Sequence, residues 1–260
     1  MSIISSDFIQ GIRQWDSWSW LAYRDLVQSY RRTVLGPLWI CAQQAIFVIG
    51  LSILHGALFH QKTSLIVPQI AAGVITWSLV SSLVSSQASV LVDNSNTIRS
   101  AQLPITFFYL KSISYHVINW VHSAVVLILG LVFISPSFRY SGLPIFLVVH
   151  IALVANCLLM GLWLAPLCCR FRDVKAAVPL LLQLLMFVSP TFWTLDQIQN
   201  PATILSLNPI TWFIELSRQS LLQDHSDNQF WLGIGTLTVV NALLGSLVFR
   251  LTRSRIAYWI

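Results

Sequence analysis

The sequence predicts an all-α integral membrane protein with six transmembrane helices, an N-terminal amphipathic interface helix and a re-entrant segment between spans five and six. Three observations lead there. Of the 260 residues, 56% are hydrophobic and 9% are charged, whereas a soluble domain carries about 25% charged residues. So few charges cannot wet a surface. The apolar residues are gathered into long runs separated by short polar links, the pattern of helices that cross a bilayer. The 15 Lys and Arg are also sorted along the chain. Twelve fall in the N-terminal arm, two alternate links and the C-terminal tail, while Lys62, Arg139 and Arg218 occupy the intervening connections. That asymmetry puts the basic side in the cytoplasm, with both termini. The net charge of +6 is accounted for by this bias and calls for no nucleic-acid partner.

Residues 7–32 read as one amphipathic helix. Asp7 can cap it, with Gln10 at the matching third position. Phe8, Ile12, Trp15, Ala22 and Leu26 share a face, and Arg13, Ser17, Arg24, Gln28 and Arg31 share the opposite one. Trp15, Trp18 and Trp20 suit the headgroup layer, so the helix is expected to lie in the interface rather than span it. The charges of Arg24-Asp25 and Arg31-Arg32 end at a Gly36-Pro37-Leu38-Trp39 corner, with a proline where an apolar helix begins. This is where the chain enters the bilayer.

The first span is expected over 37–59 and the second over 65–91, with Gln61-Lys62-Thr63 as the turn between them. The lower half of the second span is rich in serine (Ser78, Ser81, Ser82, Ser85, Ser86, Ser89), which predicts close packing on a neighbour. A polar link follows over 93–104. The third span covers 105–134, with Lys111 placed to snorkel, and the fourth covers 143–168. Arg170-Phe171-Arg172-Asp173-Val174-Lys175 forms a charged link. The fifth span, 178–193, is short and bracketed by Pro179 and Pro190. Residues 196–222 are apolar yet contain Asn208-Pro209, Glu215 and Arg218. A full span would bury those charges at high cost, so this stretch is read as re-entrant, with Glu215 and Arg218 paired three residues apart. The sixth span covers 229–250. The whole of 1–260 forms one transmembrane domain.

No catalytic constellation appears. The sequence lacks a G-x-x-x-x-G-K-[ST] phosphate loop, an H-E-x-x-H zinc motif and a G-x-S-x-G nucleophile elbow. Cys41, Cys157, Cys168 and Cys169 have no metal-ligand spacing and read as small hydrophobes. His55, His116, His122 and His150 lie in or near spans, but no intramembrane carboxylate accompanies them. They read as interhelical hydrogen-bonders or wall groups rather than a proton relay. A transporter with neither an ion-coupling group nor a nucleotide pocket must take its energy from outside itself. The cytoplasmic arm and links are the natural receivers.

The residues Arg24-Asp25, Tyr30-Arg31-Arg32-Thr33-Val34-Leu35-Gly36-Pro37-Leu38-Trp39, Phe171-Arg172-Asp173-Val174, Ser189-Pro190, and Asn208-Pro209 with Glu215 and Arg218 occur in this order over nearly the whole chain. In them the chain resembles the membrane subunit of ABC-2-type exporters of polysaccharides, the O-antigen, capsule and teichoic-acid class. Cys168-Cys169 departs from that pattern. The resemblance implies a homodimer around a channel, two copies of a separate ABC ATPase subunit that bind ATP and magnesium, and no cofactor in this chain. It implies a coupling helix within 93–104 and, as ATPase-coupling residues, Asp93, Asn94, Asn96, Thr97, Arg99, Arg24, Arg31, Arg32, Arg172 and Asp173. It also implies a periplasmic gate at Asn208, Pro209, Glu215 and Arg218, and a bacterial inner-membrane location. The substrate would be a lipid-linked polysaccharide. Such a glycan has hydroxyls and apolar C–H faces, so a suitable path offers rings and amides rather than charge. Trp39, Gln43, Gln44, Gln183, Phe187 and Trp193 are the candidates. Two further readings remain: an ABC-2 exporter of drugs or other small molecules, and a membrane enzyme or scaffold of glycan assembly. The last would need outer-side carboxylates, of which the sequence offers Asp196, Glu215, Asp224 and Asp227.

Overall fold

A computed structural model describes residues 3–60, 62–101, 103–195, 208–223 and 226–260. Among them it shows ten α-helices and no strand: α1 (Ile3–Arg13), α2 (Trp15–Ser29), α3 (Leu38–Phe59), α4 (Thr63–Asp93), α5 (Ser95–Ser100), α6 (Ile105–Ile134), α7 (Leu143–Arg170), α8 (Arg172–Val188), α9 (Pro209–Leu222) and α10 (Asn228–Trp259). Five of these, α3, α4, α6, α7 and α10, are long and apolar enough to cross a membrane. At 1.5 Å per residue even the 22-residue α3 reaches about 33 Å, the thickness of a hydrocarbon core.

The helix ends follow local chemistry. Pro37 stands at the N-cap of α3. Gly36 turns the preceding corner at φ 53, a conformation that favours glycine. α3 stops where His60 adopts a left-handed conformation, φ 52. Pro104 stands before α6, which covers the predicted 105–134.

Several expectations are corrected. The helix expected over 7–32 is two helices, because the chain turns at Gln14. Asp7 does not cap the arm, since α1 is already helical from Ile3. The short helix in the 93–104 link covers 95–100, and Gln102 lies outside the described residues. The fifth apolar element begins earlier than predicted, at Arg172. A single extended residue, Phe171, separates it from α7, and it ends at Val188 instead of running to 193. At 17 residues it is shorter than the other five. Of the predicted re-entrant stretch 196–222, α9 is seen, whereas 196–207 lies outside the described residues, as do Asp196 and Asp224.

α4 is the centre of the bundle, packed by α3, α6, α7, α8 and α9. Apolar layers are stacked along it. One holds Ile70, Ile75, Leu127, Leu131 and Phe146. The next holds Leu79, Leu83, Val149, Leu153, Phe213 and Leu216. The last, at the end where α1 meets α10, holds Leu91, Phe107, Tyr109, Leu162, Phe249 and Ile256. Polar bonds pin helices inside the bundle. Asn156 donates to Thr238 Oγ1 at 2.9 Å, Asn241 donates to Asn156 Oδ1 at 3.2 Å, and Trp163 donates to Asn241 Oδ1 at 3.2 Å. Each such bond in a membrane contributes about 0.6 kcal/mol.

The lower half of α4 packs on its neighbours as expected, with Leu83, Gln87, Ala88, Val90 and Leu91 buried and α7 so close that a Cβ at Gly161 would clash with Gln87 Oε1. The serines themselves are half-buried. Their hydroxyls donate to their own helix, Ser82 to Leu79 O and Ser86 to Leu83 O. On their open side Ser82, Ser85, Ser86 and Ser89 line a cleft of about 340 Å³ with Ser112 and His116. His150 is an interhelical partner, 3.4 Å from Thr76 Oγ1 and stacked on Trp120. His122 instead bonds Ile118 O of its own helix. All four cysteines are free and buried.

Candidate functional site

At the end where the first and last helices meet, charged residues tie the links to the spans. Asp93 ends α4. It accepts from Ser89 Oγ at 2.5 Å and pairs with Lys175 of α8 at 3.0 Å. The next residue, Asn94, folds its amide onto Val90 O at 2.7 Å and precedes α5. α5 has no buried residue, and Asn96, Thr97 and Arg99 are exposed on it. Arg172 and Asp173 are also exposed, and among the described residues no salt bridge joins them. The pair that forms there is Lys175–Asp93. On the arm, Arg24 lies over the Trp20 ring at 4.8 Å. Arg31 and Arg32 are exposed after α2, Arg32 with φ 71.

The arm lies along α6. Lys111, expected to snorkel, instead pairs with Asp25 at 2.6 Å. The pair is a quarter to two-fifths exposed and contributes at most about 1 kcal/mol. Tyr30 donates to Asn119 Oδ1. Burial, then the neighbouring Tyr115 and Cys41, push its phenol up, so it stays a donor.

At the other end, α9 is wedged into the bundle, with Thr211 and every residue from Phe213 to Leu221 buried. Asn208 Oδ1 accepts from Ile210 N at 3.0 Å and caps the helix, with Pro209 at its first position. The same side chain donates to Ser189 Oγ at 2.9 Å. Glu215 and Arg218 pair as predicted, at 2.5 Å, with side chains only 7% and 2% exposed. Arg218 also donates to Pro190 O at 2.7 Å and Trp193 O at 3.3 Å. The guanidinium therefore fixes the corner after α8. Gln219 and Asp227 exchange two bonds, 2.7 and 3.0 Å, which tie α9 to the start of α10.

The residues proposed for a path fall into two groups. Trp39 and Gln43 lie on an exposed face of α3, and Gln183 and Phe187 on an exposed face of α8. Gln44 turns inward, with a buried Oε1 that has no partner. Trp193 donates to Phe187 O at 3.3 Å. Phe192 bridges the two groups, 5.9 Å from Phe47 of α3 and 6.1 Å from Phe187, edge-on to both. These open faces belong to helices of strongly apolar sequence, which a bilayer or another protein can cover.

The comparison with known families says which class of membrane protein these elements build. Residues 16–222 match the ABC-2 type transporter family. The chain belongs to that family. Its members are the membrane components of transporters that work with an ABC ATPase, and they are not themselves catalytic. The chain is also similar to the O-antigen export system permease protein RfbA of Myxococcus xanthus, with 23% identity over 244 residues that cover 91% of this chain and 92% of that protein. As an ABC-2 family member the chain is a multi-pass membrane protein.

Sequence reasoning missed several of these contacts. The sequence shows Lys175 only as part of a charged link and Asp25 only as a charge. Their partners lie 82 and 86 positions away, beyond any local pattern. Asn156 and Asn241 are amides inside apolar runs, the one sequence signal that could have pointed to their contact.

Proposed function

We propose that this chain is the permease subunit of an ATP-driven exporter. It moves a lipid-linked polysaccharide, O-antigen above capsule or teichoic acid, from the cytoplasmic to the periplasmic side of a bacterial inner membrane. The observation that carries this is the family match over 16–222, together with the O-antigen permease similarity along nearly the whole of both chains. In this reading α8 is the fifth of six spans and α10 the sixth, both termini are cytoplasmic, and α9 belongs to a re-entrant segment at the outer mouth. Two copies pair through the open faces of α3 and α8, which would line the path with Trp39, Gln43, Gln183 and Phe187. Rings and amides there suit a polymer of hydroxyls and C–H faces. Two ABC ATPase subunits, carrying ATP and magnesium, dock against α5, the arm around Arg24, Arg31 and Arg32, and the 170–175 link. Hydrolysis favours one of two states of the bundle, and that difference opens the path.

The test is made in the cell of origin. Deleting the gene is expected to remove the glycan from the cell surface and leave its lipid-linked form on the inner leaflet, with restoration by the wild-type gene. Unchanged surface glycan in the deletion strain would exclude the polysaccharide reading. Loss of resistance to an expelled compound would favour a small-molecule cargo instead.

A further inference from the structure

Asp7 of α1 has no exposed surface. Its carboxylate accepts from Thr106 N at 3.1 Å, Ile105 N at 3.4 Å, the Thr106 hydroxyl, and Arg253 Nε and Nη2 at 2.9 and 2.6 Å. The first N–H groups of any helix lack partners within it, and α6 has no cap from its own N-cap residue, which is Pro104. A residue nearly a hundred positions away does this work. The buried negative charge is matched by Arg253, near the end of α10 and 31% exposed. The approach is close: a Cβ added at Gly11 would stand 2.9 Å from Thr106 Cβ. Trp18 then folds the start of α2 back by donating to Gly11 O at 3.1 Å. One carboxylate thus joins three parts of the chain that the sequence keeps far apart.

The position of this junction matters. α5 ends at Ser100 and α6 begins at Ile105, so four residues connect them, and Ala101 and Pro104 are extended. So short a link, ending in a ring with a fixed φ, takes up little displacement. A push on α5 therefore arrives at the first turn of α6, where Asp7 sits.

We propose that Asp7 and Arg253 are positioning residues that bind α1, the first turn of α6 and the last turns of α10 into one rigid body, so that force applied at α5 moves this whole end of the bundle instead of being lost by bending near 101–106. The clamp rests on the export reading above, with α5 as the contact of the ATPase. Its effect is on coupling and not on hydrolysis: without it the nucleotide is consumed and the spans do not follow.

The experiment uses the complete complex of this chain with its ATPase subunit, purified as wild type and as Arg253→Gln, Arg253→Lys and Asp7→Asn. Three quantities are read: complex recovered, nucleotide hydrolysed, and glycan translocated per nucleotide. Arg253→Gln and Asp7→Asn are expected to hydrolyse at close to the wild-type rate and to translocate about tenfold less per nucleotide. Arg253→Lys, which keeps the charge, retains most of the translocation. Arg253→Gln strands the buried Asp7 carboxylate and either single variant can fail to fold, so the double variant Asp7→Asn with Arg253→Gln, which leaves no buried charge at the junction, is read in the same way and with the same expected fall. Translocation per nucleotide equal to wild type in Arg253→Gln, or a fall that only tracks the amount of complex recovered, overturns the clamp. A wild-type complex that moves no glycan at all overturns the export reading and the clamp's role with it.

Discussion

Replacing residues 94–100 with a Gly/Ser segment of equal length, or Arg99 with alanine, abolishes the proposed export and leaves assembly of the proposed dimer intact. α5 has no fully buried residue and only Ile98 packs partly against the core, so its replacement removes little core packing and Arg99→Ala removes none. Surface substitutions of this kind usually change stability by no more than about 0.5 kcal/mol. Asn96, Thr97 and Arg99 nevertheless stand exposed at the point where the chain passes from α4 to α6, two helices of the central bundle. A segment that contributes so little to the core and stands at such a position is suited to contact another protein. Export falls by at least about two orders of magnitude for the segment replacement, since a coupling free energy of 3 kcal/mol is worth about that factor. The checks are surface glycan for export and size-exclusion chromatography of the detergent-purified chain for assembly. Normal export by the replaced chain would remove the coupling role of α5.

Arg218→Met prevents the chain from reaching its native stability. The substitution leaves Glu215 as a buried charge without its salt-bridge partner, and it takes the donor from Pro190 O and Trp193 O. Breaking a buried pair from one side costs about 3–5 kcal/mol. The double variant Arg218→Met with Glu215→Leu recovers part of that loss, because no buried charge remains. Thermal unfolding of the purified variants separates the two cases. Equal melting of Arg218→Met and wild type would show that the pair does not hold the corner after α8. In this account α9 is a fixed wedge, tied to Ser189, Pro190, Trp193 and Asp227, against which the ends of the spans rest.

Much of this architecture was legible because a bilayer simplifies the physics. Long apolar stretches bounded by Pro37 and Pro104 have one outcome, and α3 and α6 follow the predicted limits almost to the residue. The pairing of Glu215 with Arg218 was legible because three residues of helix bring two side chains together. What remained hidden depends on distance along the chain. Asp7 looked like a local cap, since nothing nearby in sequence announces Thr106 or Arg253. Lys111 looked solvated, because Asp25 lies on another helix. The serines of α4 signalled close packing, which the buried lower half of that helix shows, while their hydroxyls are satisfied by their own helix, which spacing alone does not announce. The break at Gln14 and the early start of α8 reflect the packing of the arm on α6 and the turn at Phe171, which tertiary contacts decide.

The central claim is that this chain cannot do its work with its own resources and is driven by nucleotide hydrolysis in a partner. It is tested most directly by reconstituting the purified chain in lipid vesicles that carry a lipid-linked glycan in the outer leaflet, with and without the ATPase subunit and ATP, and measuring the glycan that becomes protected inside. The account predicts protection only when the chain, the ATPase and hydrolysable ATP are all present. Sustained movement of the glycan by the chain alone would contradict it.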